Sequence, residues 1–306
     1  MKHLKTLHSI ADVAKSGSIR RSAERLAITP SALTRKIQDF EEELGTTIFE
    51  RMPQGMRLNA AGELVLRHIR DQLSDFQRLR SQIADLSGVR RGHVAIAASQ
   101  AFAHGLIPDA IETYRSLHPL VSFTVFARDH IHAVTAVTSF EADVALVLQP
   151  PAVPEFQPLL VLHQPLCALM SRNHPLTATD TVRLRQCLRF PVAMPGSSLA
   201  IHYLLQTAIV RSSLPVNTVV ESDSFEVLRS YAGRDDVITF QIRAGLPKAS
   251  DNLVVREIDQ RDIPPAQLVL GQLRGRSLSV AASKFIDQLA GTLHSQYGQQ
   301  SMAGEQ

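Results

Sequence analysis

Between Thr29 and Gln38 the chain places Thr29, Pro30, Ser31, Thr34, Arg35, Lys36 and Gln38. Arginine can bond guanine bidentately or grip phosphate, glutamine can pair with adenine, and lysine or a hydroxyl suits a phosphate oxygen. To act together, these groups need one exposed face of one helix. The interleaved Leu33, Ile37, Phe40 and Leu44 recur at spacings of four, three and four, which predicts a helix with a narrow core-facing sector. Ser31, Arg35 and Gln38 then fall on the opposite side, with Thr34 flanking them. Thr29 before Pro30 is a helix start: a hydroxyl takes an orphan N–H, and proline sits at the first helical position, where its missing N–H costs nothing. Glu41-Glu42-Glu43 lies at the far end and would repel phosphate. Only the N-terminal half of this helix suits a nucleic acid.

The neighbouring segments supply a frame for it. Leu4, Leu7, Ala11 and Ala14, with Ile10 beside them, predict a helix from Leu4 to Ser16 that Gly17 ends. Ser18 then caps a second helix whose apolar side is Ile19, Ala23, Leu26 and Ala27. Gly45 stops the third. A β-prone run, Thr46 to Glu50, leads into Arg51-Met52-Pro53-Gln54-Gly55-Met56-Arg57, a Pro/Gly turn bracketed by arginines that reads as a short basic hairpin. Three short helices and such a hairpin make a winged helix-turn-helix with Arg51 and Arg57 on the wing; a small helical bundle with solvated charges is the bland alternative. Asn59 caps a long helix to about Leu86, with Val65, Ile69, Leu73, Phe76, Ile83 and Leu86 on its apolar stripe. Roughly 40 Å of narrowly apolar helix predicts a dimerising element, packing on the chain's own later domain being the alternative.

Ser87 to Gly92 breaks that helix, and strands then alternate with helices: His93 to Ala98, Val121 to Ala127 and Val144 to Leu148, another strand after the proline-rich passage Pro150 to Pro158, then Leu166 to Met170, Phe190 to Met194, Thr218 to Glu221 and Val237 to Phe240. This is α/β architecture in two sub-domains, with a final amphipathic helix from Leu278 to Leu293. Open α/β sheets bind ligands beyond the carboxyl ends of their strands, where helix N-termini offer free N–H groups. Ser99 and Gln100 follow one strand and Ser197 and Ser198 another; Arg128, Gln149 and Phe240 end others facing the same way. Such a set favours an anionic or carboxylate-bearing small molecule. A serine at these positions can equally be a plain helix cap.

Charge and motif content narrow the function classes. Residues 1–91 hold 16 Lys and Arg against 11 Asp and Glu, whereas residues 92–306 hold 16 against 18, so the basic end is the one suited to a polyanion. No apolar run nears the ~18 to 20 residues that cross a bilayer, and the first residues lack a signal peptide's apolar core, so a cytoplasmic protein is expected. Cys167 and Cys187 stand twenty positions apart in no ligand or redox spacing and are expected to be buried reduced thiols. His104, His130 and His132 have no cysteine or carboxylate cluster to complete a metal site, and neither metal nor cofactor is expected. Nucleophile-elbow, phosphate-loop, dinucleotide and zinc-protease motifs are absent, which argues against an enzyme; a hydrolase would need turnover dependent on Ser197.

The submotifs Gly17-Ser18-Ile19, Ser22-Ala23-Glu24-Arg25-Leu26, Thr34-Arg35-Lys36-Ile37, Phe40-Glu41-Glu42-Glu43-Leu44-Gly45, Ile48-Phe49-Glu50-Arg51 and Leu58-Asn59-Ala60-Ala61-Gly62-Glu63 occur in register. Together they resemble the DNA-binding end of LysR-type transcriptional regulators, and the remainder is similar to that family's effector domain. The resemblance implies an N-terminal winged helix-turn-helix (mainly α) plus a long linker helix, then an α/β two-lobed periplasmic-binding-protein-like effector domain. The expected boundaries are 1–58 for the DNA-binding domain, 59–91 for the linker helix and hinge, and 92–306 for the regulatory domain, with lobe I about 92–163 and 268–306 and lobe II about 164–267. It implies double-stranded DNA, a small-molecule effector between the lobes, RNA polymerase and a second copy as partners, with a dimer through the linker helix and a tetramer through the effector domains. The rival is a cytoplasmic small-molecule-binding protein whose N-terminal helices serve only for assembly. Departures from the family pattern are Pro30-Ser31-Ala32-Leu33-Thr34 where Gln-Pro-Ala is usual, Asn59 in place of threonine, and Ala232-Gly233-Arg234-Asp235-Asp236-Val237 leading to Gln241 in place of Ala-Gly-x-Gly and proline.

Overall fold

The computed structural model describes residues 2–53, 55–86, 92–103, 105–234, 236–246 and 252–298. Contacts divide the chain into residues 1–87 with 276–279, and residues 88–275 with 280–306. His104, Asp235 and most of the expected hinge at Ser87 to Gly92 lie outside the described residues.

In the first unit α1 (Lys2–Ser16), α2 (Ile19–Arg25) and α3 (Pro30–Leu44) are followed by the hairpin β1 (Phe49–Met52) and β2 (Gly55–Leu58), then by α4 (Ala60–Leu86). Leu7, Ile10, Val13, Ala23, Leu33, Ile37, Ile48, Phe49 and Ile69 form its core. The buried arc of α1 is centred on Ile10 and includes Val13, whereas Ala11 and Ala14 are only half-buried. That rotation follows from α1 packing on both α3 and α4. Ala27 is not on the second helix: α2 ends at Arg25, and Ala27 turns the chain at φ 52°, exposed. Leu44 is 43% exposed at the end of α3 and falls outside the expected core stripe.

The turn between α1 and α2 also holds the hairpin. Gly17, at φ +63°, presents its carbonyl to the Met56 N–H at 2.8 Å, and a Cβ on Gly55 would overlap that carbonyl oxygen. Glycine is thus required at Gly55 by close backbone approach as well as by its φ of +137°.

The second unit runs β3 (Gly92–Ser99), α5 (Leu106–Leu117), β4 (Val121–Arg128), α6 (His130–Thr138), β5 (Val144–Leu148), β6 (Phe156–Gln164), β7 (Leu166–Ser171), β8 (Thr181–Val182), α7 (Leu184–Cys187), β9 (Val192–Pro195), α8 (Ala200–Ser212), β10 (Thr218–Ser222), α9 (Phe225–Ala232), β11 (Thr239–Ile242), β12 (Leu253–Ile258), β13 (Ala266–Leu273) and α10 (Val280–Tyr297). One sheet has the order β4-β3-β5-β13-β6, parallel across its first three strands and antiparallel where β13 meets β5 and β6. The other has the order β11-β7-β12-β8, and the parallel pair β10-β9 meets its edge through a bridge between Val192 and Ile238. The chain therefore crosses from the first sheet to the second after Gln164 and returns before Ala266, giving two lobes. Strands β8, β12 and β13 are additional to the strands expected from sequence.

Candidate nucleic-acid interface and ligand cleft

The start of α3 is built as its composition requires. Thr29 Oγ1 accepts the Ala32 N–H at 3.2 Å and Pro30 occupies the first turn. Leu33 and Ile37 are buried, while Ser31, Arg35 and Gln38 are exposed and Thr34 and Lys36 are half-buried. Thr34 Oγ1 donates to its own helix, to Pro30 O at 2.9 Å, so toward a partner it can only accept. Among the described residues Arg35, Lys36 and Gln38 have no protein hydrogen-bond partner, which leaves their donors available.

Of the acidic run, Glu41 has a structural task. Its Oε1 accepts the N–H of Ile48 at 2.7 Å and of Phe49 at 3.3 Å, tying the end of α3 to the entry of β1. Asn59 joins the same corner: its Oδ1 caps α4 through the Gly62 N–H at 2.8 Å and its Nδ2 donates to Thr47 O at 2.9 Å. On the hairpin, Arg51 pairs with Met56 and Arg57 with Glu50. Adjacent strand residues point to opposite faces, so the two exposed arginines project from opposite faces of the ribbon. A ribbon that enters a groove edge-on presents one arginine to each wall.

In the second unit, the expected cleft residues lie at the ends of β3, β4, β5 and β9 and within β11. Ser99 Oγ is buried and has no hydrogen-bond partner. Gln100 crosses to lobe II, where its Oε1 accepts the Phe225 N–H at 3.3 Å. Arg128 lies opposite Ser99 in the strand register, exposed, with its guanidinium 5.7 Å from the Phe126 ring centroid and 3.9 Å from Glu141. Gln149 turns at φ 48° and donates its N–H to Gln267 O at 2.8 Å. Ser197 and Ser198 are exposed ahead of α8, whose N-cap position is Leu199, so neither serves as the helix cap. Phe240 requires a correction. It is fully buried within β11, between β7 and the interior of lobe II, and cannot line an open cleft.

Three residues not among those expected at the cleft stand beside this set. His130, first residue of α6, has a buried Nδ1 without a partner, and burial pushes its pKa down against the opposing charge of Asp129. Its ring lies 6.3 Å from that of Tyr203 on α8, which in turn lies 5.6 Å from that of His202. The signal is the same kind of strand-to-helix junction that marks Ser99, since His130 opens α6 with only the cap residue Asp129 between it and β4. His132 is engaged by Asp129 at 2.5 Å. Among the described residues no group of three His, Cys, Asp or Glu side chains is placed to hold a metal ion.

A family model described as the LysR substrate binding domain matches residues 87–293, and one described as the bacterial regulatory helix-turn-helix protein of the lysR family matches residues 4–63. The chain belongs to the LysR family. It is a LysR-type transcriptional regulator with a helix-turn-helix DNA-binding domain and an effector-binding domain, in a family of regulators and not of enzymes. The transcriptional activator CmpR of Synechocystis is 22% identical over 93% of this chain and 94% of its own. A full-length variant of OxyR from Pseudomonas aeruginosa superposes with a TM-score of 0.71 at 19% identity, covering 95% of this chain and 94% of that one. Full-length CbnR in complex with its target DNA superposes with a TM-score of 0.60 at 13% identity, covering 94% and 99%. Among the described residues of this LysR-family chain, no helix is long and apolar enough to cross a membrane.

Proposed function

We propose that this regulator binds double-stranded DNA with the N-terminal half of α3 in the major groove, Thr29, Pro30, Ser31, Thr34, Arg35 and Gln38 against base edges or backbone and Lys36 on phosphate. Arg51 and Arg57 flank the adjacent minor groove from the hairpin. The observation that carries this reading is the split of α3 itself: Leu33 and Ile37 fill the core while Arg35 and Gln38 stand exposed with uncommitted donors. CbnR, a structural neighbour, is described in complex with target DNA. The effector is a small anionic molecule taken up between the lobes near Ser99, Gln100, Arg128, Gln149, Ser197 and Ser198, with His130 added.

Assembly completes the reading. Leu64, Leu79 and Ile83 of α4 are 67, 49 and 54% exposed, and at 3.6 residues per turn they fall within an arc of about 100°. A second α4 covers that arc in a dimer. The effector domains then associate so that four chains form the complex, which acts with RNA polymerase in the cytoplasm, where the DNA is. Effector binding works by differential affinity for two arrangements of the DNA-binding heads.

Fragments of genomic DNA retained by the purified chain, once sequenced, give the operator and the neighbouring genes. Anisotropy titrations on such a fragment are expected to show log affinity falling steeply and linearly with log salt. Binding that is weak and indifferent to sequence would instead support the rival, a small-molecule-binding protein whose N-terminal helices only assemble it.

A further inference from the structure

A closed circuit of contacts runs between the lobes at the inner end of the cleft. Gln100 of lobe I takes the N–H of Phe225 at the start of α9. One turn further along α9, Arg229 donates through its NH1 to Gln241 Oε1 at 3.3 Å. Gln241 is fully buried, and its Nε2 donates to Gly245 O. Gly245 packs back on lobe I: a Cβ there would lie 3.1 Å from both the Cβ and the carbonyl oxygen of Ala101, the residue after Gln100. Beside it the Ala244 N–H donates at 3.1 Å to Oε1 of Gln164, the residue at which the chain leaves the first sheet. Gln241 is also one of the positions where the sequence departs from its family's pattern.

Arg229 is the energetically odd member of this circuit. Its guanidinium is half-buried, and burial pushes its pKa down while Glu226 opposes. Among the described residues its hydrogen-bond partner is the neutral amide of Gln241, with no ion pair to a carboxylate. A half-buried cation whose hydrogen bond goes to a neutral amide, with the Glu226 charge acting on it only without a contact ion pair, is less well compensated than one bonded to a carboxylate. Charge-assisted bonds from a guanidinium to a carboxylate or phosphate are about twice as strong as bonds to neutral acceptors. An acidic ligand in the cleft therefore has a reason to take Arg229 from Gln241, and in doing so it alters the hold of Gln241 on Gly245.

Resting on the effector reading above, we propose that Arg229 recognises the acidic group of the effector, that Gln241 parks the guanidinium in its absence, and that this exchange couples ligand binding to the contact between Gly245 and Ala101. The probe is a matched set of small acids and amides: acetate, benzoate and succinate against acetamide, benzamide and succinamide, each titrated into the full chain during thermal unfolding. At least one acid is expected to raise the midpoint by about 2 to 4 °C beyond its amide. Arg229→Gln removes that difference and Arg229→Lys, which keeps the charge without the fork, retains a reduced one. Equal responses to acids and amides, no response to any acid, or a full difference in either variant overturns the proposal. Should R229Q not melt cooperatively, the reduced difference in R229K carries the test alone. Salt-dependent DNA binding by the unaltered chain is measured separately, so loss of the regulator reading and loss of this assignment are distinguishable.

Discussion

Glu41 Oε1 lies 2.7 Å from the backbone nitrogen of Ile48, so the acidic end of α3 is the clasp that holds the hairpin. Ile48 is fully buried, and its N–H has no water to fall back on. The helix proposed to read DNA and the ribbon proposed to flank it are thereby tied together, with Met56 fastened to Gly17 on the other side.

Replacing Glu41 by Ala leaves a buried N–H unsatisfied and is expected to cost about 1 to 3 kcal/mol of stability. Glu41→Gln keeps an acceptor and loses less. Chemical denaturation of the three chains, read alongside operator affinity at a temperature where all are folded, checks both. An E41A chain as stable as the parent sinks the clasp.

Arg35→Ala is expected to weaken operator binding by roughly 1 to 3 kcal/mol and to relax the base preference at one position of each half-site. Lys36→Ala acts differently: it weakens binding to all duplexes alike and lowers the salt slope by about 1. Anisotropy titrations on the operator and on a scrambled duplex at several salt concentrations separate the two. If Arg35→Ala leaves operator affinity unchanged, α3 is not the reading helix.

How much of this was legible beforehand depends on the range of the interactions concerned. Caps and stripes are local, so Thr29, Asn59, Leu33 and Ile37 could be placed from spacing alone, and the three helices, the hairpin and the long helix follow. The role of Glu41 joins residues seven positions apart through a turn, and no periodicity encodes that. Phe240 was misplaced because a strand end marks a cleft only if its side chain faces outward, and the parity of β11 is set by pairing with β7 across more than seventy positions. Arg229 and Gln241 meet only because α9 folds back on β11, so the sequence marks Gln241 as a departure from the family pattern but does not tell that Arg229 is its partner.

Lobe II contains a buried histidine with a definite pH signature. His174 is 1% exposed, its Nδ1 accepts the Leu176 N–H at 3.2 Å, and its ring packs 4.4 Å from that of Phe190. Burial pushes its pKa down, opposed by Asp236. Above about pH 6.5 both native and unfolded chains hold it neutral; as pH falls through that value only the unfolded chain takes up the proton, so stability is lost on acidification until the lower native pKa is reached. His174→Asn keeps an acceptor for Leu176 and does not titrate. Its stability is expected to fall less than the parent's between pH 7.5 and 5.5 in matched urea titrations. Parallel losses in the two chains would exclude His174 as the source.

The two cysteines are the last point to decide. Cys167 on β7 and Cys187 on α7 are both fully buried, and burial pushes both thiols up to about 12. The thiolate is the reactive species, and a thiol with so high a pKa presents almost none of it at neutral pH. Arg243, whose positive charge favours the thiolate of Cys167, does not offset that burial. A peroxide-sensing thiol needs the reverse: exposure, a lowered pKa and access for the oxidant. Native protein is therefore expected to leave both cysteines unmodified by an excess of Ellman's reagent at pH 8, with both reacting once guanidinium unfolds the chain. Peroxide treatment that leaves salt-dependent DNA binding unchanged agrees with this. Rapid labelling of either cysteine in the folded chain would mean that lobe II opens far enough to expose it, and would return redox control to consideration.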